Sequence, residues 1–240
     1  MLILAFDTTS EFGGAGIFRD TECLAWVPNV GPANRYSVTL FEMVEQALKL
    51  AHLELREIEL YAAANGPGSF TGIRVGLAAA RAWAKAFDRR VRGVSVLAAM
   101  LGKVSLTSDW VFPVLDARRG EFFLGCFRRK PSAPLNVTQL DYEPADGGWV
   151  LKPEALRTFI EERVADGAGA TCLVRSHDQA AADLRASLPA CLDWQQIESA
   201  LVDSIANIAS REEQSSQPCP ESNLDAYYIR RPDAEVNWKG

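Results

Sequence analysis

Leu2-Ile3-Leu4-Ala5-Phe6-Asp7 is an apolar run that ends in an acid, and the same pattern returns as Trp110-Val111-Phe112-Pro113-Val114-Leu115-Asp116. Each run predicts a buried strand, and each is followed by a short polar turn and an apolar strand that contains glycine. The two Asp residues lie 109 positions apart, and each run opens a series of strands and helices. This repetition indicates a duplicated α/β unit. Coincidence is the alternative, because Asp is common at strand ends.

The first half of the chain predicts the order β-β-β-α-β-α-β-α, with an antiparallel meander at the start and a mixed rather than purely parallel sheet. Apolar runs between polar turns predict the strands, and apolar residues at helical spacing predict the helices. Ser37 is expected to cap the first long helix. The predicted strands are 2–7, 13–18, 22–27, 60–64 and 91–94, and the predicted helices are 37–51, 72–87 and one from about 95.

The second half repeats this alternation and then becomes polar. The predicted strands are 110–116, 121–128, 171–174, 192–197 and 227–230, and the predicted helices are 153–164, 177–188 and 198–210. Residues 212–223 are polar and contain prolines, which is typical of a loop. We therefore expect a first lobe at 1–106, a second lobe at 107–197, and a C-terminal helix and tail at 198–240, the helix returning to the first lobe.

Composition and charge argue against several classes of protein. The 240 residues carry 31 acids and 25 bases, a net charge of −6, whereas a protein that binds nucleic acid alone usually has a basic face. No run approaches the roughly 18 apolar residues of a membrane helix, and the start of the chain does not have the pattern of a signal peptide. The five cysteines are scattered without a Cys-x-x-Cys pair, which is typical of the reducing cytosol. We expect a cytoplasmic protein.

The string Asn65-Gly66-Pro67-Gly68-Ser69-Phe70-Thr71-Gly72-Ile73-Arg74-Val75-Gly76 joins a predicted strand to a predicted helix. Phosphate loops occupy such a position, because helix N-termini favour anions. The string lacks the Gly-Lys-Ser/Thr of a P-loop and the glycine spacing of a dinucleotide fingerprint. The other interpretation is a tight turn before a closely packed helix, with Ser69 or Thr71 as the cap. The loop residues of interest are Gly66, Pro67, Gly68, Ser69 and Thr71.

The helix that follows carries a stripe of small residues. Gly72, Gly76, Ala80 and Ala84 recur every fourth position. Glycine inside a helix costs roughly 1 kcal/mol relative to alanine, so such a position usually allows another backbone to come close. We predict that this surface meets another protein. The alternative is that the stripe packs inside the monomer.

Nucleophilic and metal catalysis find little support in the sequence. The chain has two histidines, His52 and His177, and Ser69 does not stand in a Gly-x-Ser-x-Gly motif. No catalytic residue is predicted. Asp7, Thr8 and Asp116 form a candidate vestigial nucleotide and metal cleft, since two strand-end carboxylates facing one cleft could hold a hydrated Mg²⁺ with a nucleotide. The alternative is that both Asp residues cap turns.

Several motifs in order resemble one family across nearly the whole chain. They are Asp7-Thr8-Thr9, the glycine string 65–76, Asp116-Ala117-Arg118-Arg119-Gly120-Glu121, Leu151-Lys152-Pro153-Glu154, and Tyr228-Ile229-Arg230 followed by Trp238-Lys239. Together they resemble the bacterial TsaB (YeaZ) family of tRNA threonylcarbamoyladenosine biosynthesis proteins. Tyr36 departs from the pattern, because many relatives have His there, and the stretch from Arg230 to Trp238 is longer than usual.

The resemblance implies a two-lobed actin/hexokinase-like (ribonuclease H-like) fold and a non-catalytic subunit that binds TsaD. TsaD transfers the threonylcarbamoyl group to N6 of adenosine 37 in ANN-decoding tRNAs, and the ATPase TsaE joins the complex. ATP, ADP and Mg²⁺ would then act at the level of the complex, tRNA would be met only through the complex, and a homodimer could form when the chain is alone. The implied partner interface lies on the first-lobe helices and comprises Leu40, Phe41, Val44, Leu48, Gly72, Arg74, Gly76, Ala80 and Ala84.

Other functions stay open on the residues alone. An actin-like-fold ATPase or sugar-kinase-like enzyme is the first alternative, and a metallopeptidase is the second. A kinase would need a glycine-rich phosphate loop in the second lobe, where Gly147-Gly148 is the one candidate. The histidine count argues against a peptidase. An independent RNA-binding module conflicts with the acidic balance.

Overall fold

The computed structural model describes residues 1–30, 35–132, 138–164, 168–176, 178–190, 192–197, 200–214, 224–227 and 229. Its contacts divide the chain into two compact units. The first contains the described residues of 1–99 and 199–228, and the second contains those of 100–198 and 229–240. Each unit has its own sheet and its own apolar core. The lobe boundaries predicted from the sequence stay a prediction.

Twelve strands and six α-helices are present in the described residues. The strands are β1 (Leu2–Asp7), β2 (Gly14–Arg19), β3 (Glu22–Pro28), β4 (Leu60–Gly66), β5 (Arg90–Ser95), β6 (Trp110–Asp116), β7 (Phe122–Leu124), β8 (Phe127–Arg129), β9 (Tyr142–Pro144), β10 (Trp149–Leu151), β11 (Ala170–Arg175) and β12 (Asp193–Gln196). The helices are α1 (Tyr36–Ala51), α2 (Phe70–Phe87), α3 (Val96–Leu101), α4 (Pro153–Val164), α5 (Asp178–Ser187) and α6 (Val202–Gln214), and short 3₁₀ turns cover Leu55–Glu57 and Gln139–Asp141.

The sheet of the first unit has the order β3-β2-β1-β4-β5. Strands β1, β2 and β3 pair antiparallel as a meander, whereas β1, β4 and β5 run parallel. The predicted meander and mixed sheet are therefore confirmed. Leu4 and Phe6 lie in the core cluster with α1 and α2, while Ile3 and Ala5 are also fully buried and point to the other face. Helix α6 packs against β1, β2, β4 and β5. A central strand buried on both faces explains the continuous apolar run at the start of the chain.

The helices of the first unit begin slightly earlier than the sequence predicted. Helix α1 starts at Tyr36, and Arg35 holds the cap position without a side-chain hydrogen bond. The predicted cap at Ser37 is therefore wrong, because Ser37 lies inside the first turn. Helix α2 starts at Phe70, and the Ser69 hydroxyl accepts a hydrogen bond from the Gly72 N–H at 3.2 Å. Of the two predicted caps for α2, Ser69 is the one observed.

The sheet of the second unit follows the order β10-β7-β6-β11-β12; in addition, β8 pairs with β6 and β9 pairs with β8. If only the five strands of this main path are numbered along the chain, their order is third-second-first-fourth-fifth, as in the first unit. Strand β6 pairs antiparallel with β7 and parallel with β11, which repeats the relations of β1 with β2 and β4. The predicted duplication is confirmed. A separate core fills this unit, with residues such as Phe112, Leu124 and Ile160.

Several predicted elements of the second half need correction. The predicted strand at 121–128 is split into β7 and β8, because the ladder with β6 is interrupted opposite Pro113, which has no N–H to donate. The short strands β9 and β10 were not predicted. Helix α6 begins at Val202 and runs on to Gln214, so 212–214 are helical rather than loop. Tyr227 is not in a strand, and residues 177, 198–199, 215–223, 228 and 230 lie outside the described residues.

Within the described ranges, no helix combines the length and the apolar character needed to cross a membrane.

Candidate functional site

Asp7, at the end of β1, is held inside the first unit. Its side chain is fully buried, with 0% exposure. The Oδ1 atom accepts hydrogen bonds from the Thr9 N–H at 2.8 Å and from the Thr9 hydroxyl at 2.6 Å. This is the turn-capping role that short acidic side chains adopt two residues before a backbone N–H. The carboxylate is thus engaged by its own turn.

The glycine loop 65–72 packs directly on the turn that follows β1. The Ser69 N–H donates to the Thr9 carbonyl oxygen at 2.7 Å, and the Thr8 hydroxyl donates to the Gly72 carbonyl oxygen at 2.7 Å. A Cβ on Gly68, whose φ is +154°, would lie 2.6 Å from the Thr9 carbonyl oxygen. The Gly66–Pro67 peptide bond is cis. The loop is therefore a close-packed turn before a helix, which was one of its two predicted interpretations.

The small-residue stripe of α2 faces the same turn. A Cβ on Gly72 would lie 1.9 Å from the Thr8 carbonyl oxygen, and one on Gly76 would lie 2.4 Å from the Thr8 Oγ1 atom. Ala80 and Ala84 are buried in the core of the unit. The end of β1 comes close to α2 at Gly72 and Gly76, and only glycine leaves room for it there. Packing inside the monomer, the alternative interpretation of the stripe, therefore accounts for the small side chains at these positions.

Tyr36 and Gly13 complete the turn, and sequence reasoning missed both. The Tyr36 side chain is buried, and its hydroxyl donates to the Ser10 carbonyl oxygen at 2.6 Å. A Cβ on Gly13 would lie 2.0 Å from the Asp7 carbonyl oxygen and 2.3 Å from the Tyr36 hydroxyl. The tyrosine that departs from the family pattern is thus a packing residue of this turn. The adjacent Gly13 and Gly14 were the available signal, since paired glycines indicate a close approach.

The outer face of α1 remains open to solvent. Phe41 is 51% exposed and Val38 is 61% exposed, although both are large apolar side chains. The Phe41 ring meets the Trp83 ring of α2 edge to face, with centroids 5.8 Å apart, and Trp83 in turn contacts Phe6 and Tyr61. We name Val38, Phe41 and Trp83 the Phe41 patch. It rests on the core, so its position is fixed.

The residues predicted for the partner interface divide into two sets. Phe41 and Arg74 are exposed, with the Arg74 guanidinium stacked 3.7 Å from the centre of the Phe70 ring, and Leu48 is partly buried. The others are buried within the first unit, so the chain does not present them at its surface; they are Leu40, Val44, Gly72, Gly76, Ala80 and Ala84. A contact through these helices stays a prediction, now restricted to their exposed side chains.

Asp116 lies in the second unit, at the end of β6. Its Oδ1 atom accepts a hydrogen bond from the Arg118 N–H at 2.7 Å. Arg118, Arg119 and Gly120 all have positive φ angles, of 65°, 60° and 71°. The geometry matches that of Asp7 with Thr9, so both strand-end acids cap the turn that follows them. A shared cleft of Asp7, Thr8 and Asp116 stays a prediction.

Among the described residues, no group of three or more His, Cys, Asp and Glu side chains is arranged to hold a metal ion. Burial raises the pKa of the Cys126 thiol to about 11 and raises that of Cys172 further. Such thiols are protonated at neutral pH and act as small apolar side chains.

Known proteins that match this chain in sequence are named for the formation of threonylcarbamoyladenosine in tRNA. The family model of TsaD, tRNA N6-adenosine threonylcarbamoyltransferase, matches residues 27–131. The tRNA threonylcarbamoyladenosine biosynthesis protein TsaB of Bacillus subtilis (strain 168) is 28% identical over 130 residues, 54% of this chain and 56% of that protein. The protein of the same name from Escherichia coli (strain K12) is 28% identical over 186 residues, 77% of this chain and 75% of that protein. The match thus spans little more than half of the Bacillus relative.

Solved structures support the fold. A Pseudomonas aeruginosa protein described as similar to the peptidase YEAZ matches with a TM-score of 0.71 and 24% identity, covering 95% of this chain and 99% of that chain. YeaZ from Pseudomonas aeruginosa matches with a TM-score of 0.70 and 23% identity, covering 94% and 99%. Together with the repeated strand order, this likeness confirms the duplicated actin/hexokinase-like fold. In sequence and in fold, this chain resembles the TsaB (YeaZ) proteins.

Proposed function

We propose that this chain is a non-catalytic subunit of the complex that forms N6-threonylcarbamoyladenosine at position 37 of ANN-decoding tRNAs, and that it acts by binding a TsaD-type partner. The names of the Bacillus and Escherichia relatives support a role in this modification. The match of residues 27–131 to the TsaD family model supports kinship with the partner itself. An ancestor common to both subunits would explain why one can pair with the other.

The engagement of Asp7 is the observation that carries the non-catalytic part of the proposal. A strand-end carboxylate that serves a hydrated Mg²⁺ must present oxygens to water or to a ligand. Asp7 is fully buried, and its Oδ1 atom already accepts two hydrogen bonds from Thr9. The glycine loop packs on this turn through Ser69. These contacts support a turn fixed for packing rather than a turn that receives a phosphate.

The Phe41 patch is the observation that carries the partner part. It is unfavourable to leave a large aromatic side chain in contact with water. Aromatic side chains are also enriched at the centres of protein interfaces. Phe41 is half exposed yet held by Trp83, so little conformational freedom would be lost when a partner covers it. Arg74, exposed on α2, adds a planar cation near the start of that helix. We assign the contact with TsaD to these side chains.

The remaining components are assigned to the assembled complex. ATP, ADP and Mg²⁺ would act on the partners TsaD and TsaE, and tRNA would be met through the complex, in keeping with the net charge of −6 on this chain. In the absence of TsaD, the Phe41 patch could pair with a second copy of the chain.

Reconstitution of the transfer reaction tests the proposal. Purified chain, a TsaD-type partner, TsaE, tRNA, and the activated threonylcarbamoyl donor are combined with each protein omitted in turn. We expect no transfer and no ATP turnover from the chain alone, and a loss of transfer when the chain is left out. ATP turnover of about 1 s⁻¹ by the chain alone, ordinary for an enzyme, would favour the actin-like ATPase alternative if Asp7→Ala abolished it. Unchanged transfer without the chain would overturn the proposal.

A further inference from the structure

The C-terminal residues 224–227 lie across the glycine loop and α2 of the first unit. The Tyr227 N–H donates to the Asn65 carbonyl oxygen at 2.8 Å. The Tyr227 carbonyl oxygen sits so close to Gly66 that a Cβ there would approach it to 2.8 Å. Asn65 and Gly66 begin the loop that leads into α2. The backbone of Tyr227 therefore borders the start of this loop directly.

Arg81 of α2 holds the same segment at its other end. The Arg81 Nη2 atom lies 2.6 Å from the Leu224 carbonyl oxygen and 3.2 Å from the Asp225 carboxylate. Between these anchors, Ala226 packs against the core cluster of the unit. The segment is thus tied to β4 at one point and to α2 at another, with an apolar contact between them.

The anchors of this segment are weaker than those of the sheet beneath it. Arg81 is 49% exposed and Asp225 is 76% exposed, so water and salt weaken their ion pair. By contrast, Ala5 in β1 pairs with Gly16 on one side and Ala62 on the other, and it is fully buried. Regions with few buried contacts open at lower free energy than the core, and they do so as local units.

We propose that residues 224–227 are a releasable strap that sets the conformation of the loop Gly66–Ser69, and that the strap opens locally while the first unit stays folded. Release breaks the hydrogen bond from Tyr227 to Asn65 and moves the Tyr227 carbonyl oxygen away from Gly66. The loop backbone next to the Ser69–Thr9 hydrogen bond then gains conformational freedom. The strap is a conformational device of this chain and is independent of whether a partner binds the Phe41 patch.

Amide hydrogen exchange of the full chain tests the strap. We compare the amides of Tyr227, Ser69 and Ala5 at several low denaturant concentrations. Local release predicts that Tyr227 and Ser69 exchange faster than Ala5, with rates that hardly depend on denaturant, whereas Ala5 follows global unfolding. Equal rates with equal denaturant dependence for all three amides would overturn the proposal.

Substitutions at Arg81 and Tyr227 test whether these two residues hold the strap. Arg81→Met keeps the aliphatic stem but removes the donor, and we expect Tyr227 and Ser69 to exchange about two- to fivefold faster, as for loss of a solvent-exposed ion pair, with Ala5 unchanged. Tyr227→Pro removes the N–H donor and should also accelerate Ser69. Lys85→Met, an exposed cation one turn further along α2, is the matched control and should change none of the three. Normal protection of Ser69 in both strap variants would also overturn the proposal.

Discussion

The Thr8 hydroxyl donates a 2.7 Å hydrogen bond to the Gly72 carbonyl oxygen, and the Thr8 carbonyl oxygen lies where a Cβ of Gly72 would be. The first strand and the second helix are thus joined at one residue pair, by a hydrogen bond and by direct backbone approach. Gly76, one turn further along α2, faces the Thr8 side chain instead of its backbone. Position 72 requires glycine because of a backbone atom, and position 76 because of a side-chain atom. This difference can be measured.

Adding a methyl group at either glycine should destabilise the protein, but Thr8→Ala should restore stability only to the Gly76 variant. Gly72→Ala and Gly76→Ala are each expected to lower the free energy of unfolding by about 1–3 kcal/mol through overpacking. Thr8→Ala removes the Oγ1 atom that a Cβ on Gly76 would meet at 2.4 Å, so it should restore part of the loss in Gly76→Ala. It should not rescue Gly72→Ala, whose clash is with backbone. Denaturant titrations of the single and double variants check this.

Gly147→Ala is the control for that series, since a Cβ there would meet nothing within 4 Å. Its unfolding midpoint should stay close to that of the unmodified chain. If Thr8→Ala rescued both glycine variants equally, the backbone approach at Gly72 would be contradicted.

The two strand-end acids should differ in their contribution to stability. Asp7 is fully buried and bonds to Thr9 through both the N–H and the hydroxyl, whereas the contact of Asp116 with the Arg118 N–H is exposed. Asp7→Ala is therefore expected to cost about 1–3 kcal/mol, because buried donors are left without an acceptor. Asp116→Ala should cost less than about 1 kcal/mol. Thermal and denaturant unfolding measure both, and a larger loss for Asp116→Ala would contradict the assignment.

A buried ion pair fixes the end of α6 to the edge strand β5. The Arg92 Nη2 atom lies 2.7 Å from the Glu213 Oε2 atom, and both side chains are almost fully buried; Arg90 contacts the other carboxylate oxygen. Arg92→Met should cost about 3–5 kcal/mol, because removal of one partner leaves a poorly compensated buried charge.

The double variant Arg92→Met with Glu213→Met completes a cycle for this pair. It should be less destabilised than Arg92→Met alone, since an apolar pair of similar volume often replaces a buried ion pair at little cost. Denaturant unfolding of all four chains gives the coupling energy. Additive losses would show that the two side chains do not interact.

Thiol labelling should separate the described cysteines. The pKa of Cys126 is raised to about 11 and that of Cys172 is raised further, both by burial, so the thiolate is scarce at pH 8. Cys23 is exposed, with a pKa raised by burial of part of the thiol and by the charge of Asp203. A maleimide probe followed by peptide mass spectrometry should label Cys23 first, with a rate that still rises above pH 8. Rapid labelling of Cys172 in folded protein would contradict its burial.

The sequence predicted the elements of the first unit well because each one has a local signal. The apolar run before Asp7 and the polar turn after it predict β1, and helical spacing predicts α2. The stripe Gly72–Ala84 carried an ambiguous signal, since small side chains allow close approach of either a foreign helix or the chain's own strand. Only the position of Thr8 decides between them, and Thr8 is distant in sequence.

The missed features depend on contacts between distant segments. The hydrogen bonds from Tyr36 to Ser10 and from Tyr227 to Asn65 join residues that no periodicity relates. The split of the strand after Glu121 depends on the partner strand, because Pro113 of β6 interrupts the ladder. Ser37 is a good cap by residue type, yet the helix begins at Tyr36, which is buried and whose hydroxyl donates to the Ser10 carbonyl oxygen.

The affinity of the chain for a TsaD-type partner, measured for two matched variants, tests the central claim most directly. Phe41→Asp and Leu50→Asp each place a charge at an exposed apolar residue of α1, with exposures of 51% and 57%. Nine helical positions separate them, so they lie on roughly opposite sides of the helix. Phe41→Asp should melt somewhat lower, because it loses the ring contact with Trp83, so circular dichroism first checks that both variants are folded at the titration temperature. Isothermal titration should show a loss of at least about 30-fold for Phe41→Asp, in the range of interface hot spots, and unchanged affinity for Leu50→Asp. Normal binding by Phe41→Asp, or an equal loss in both, would contradict the account.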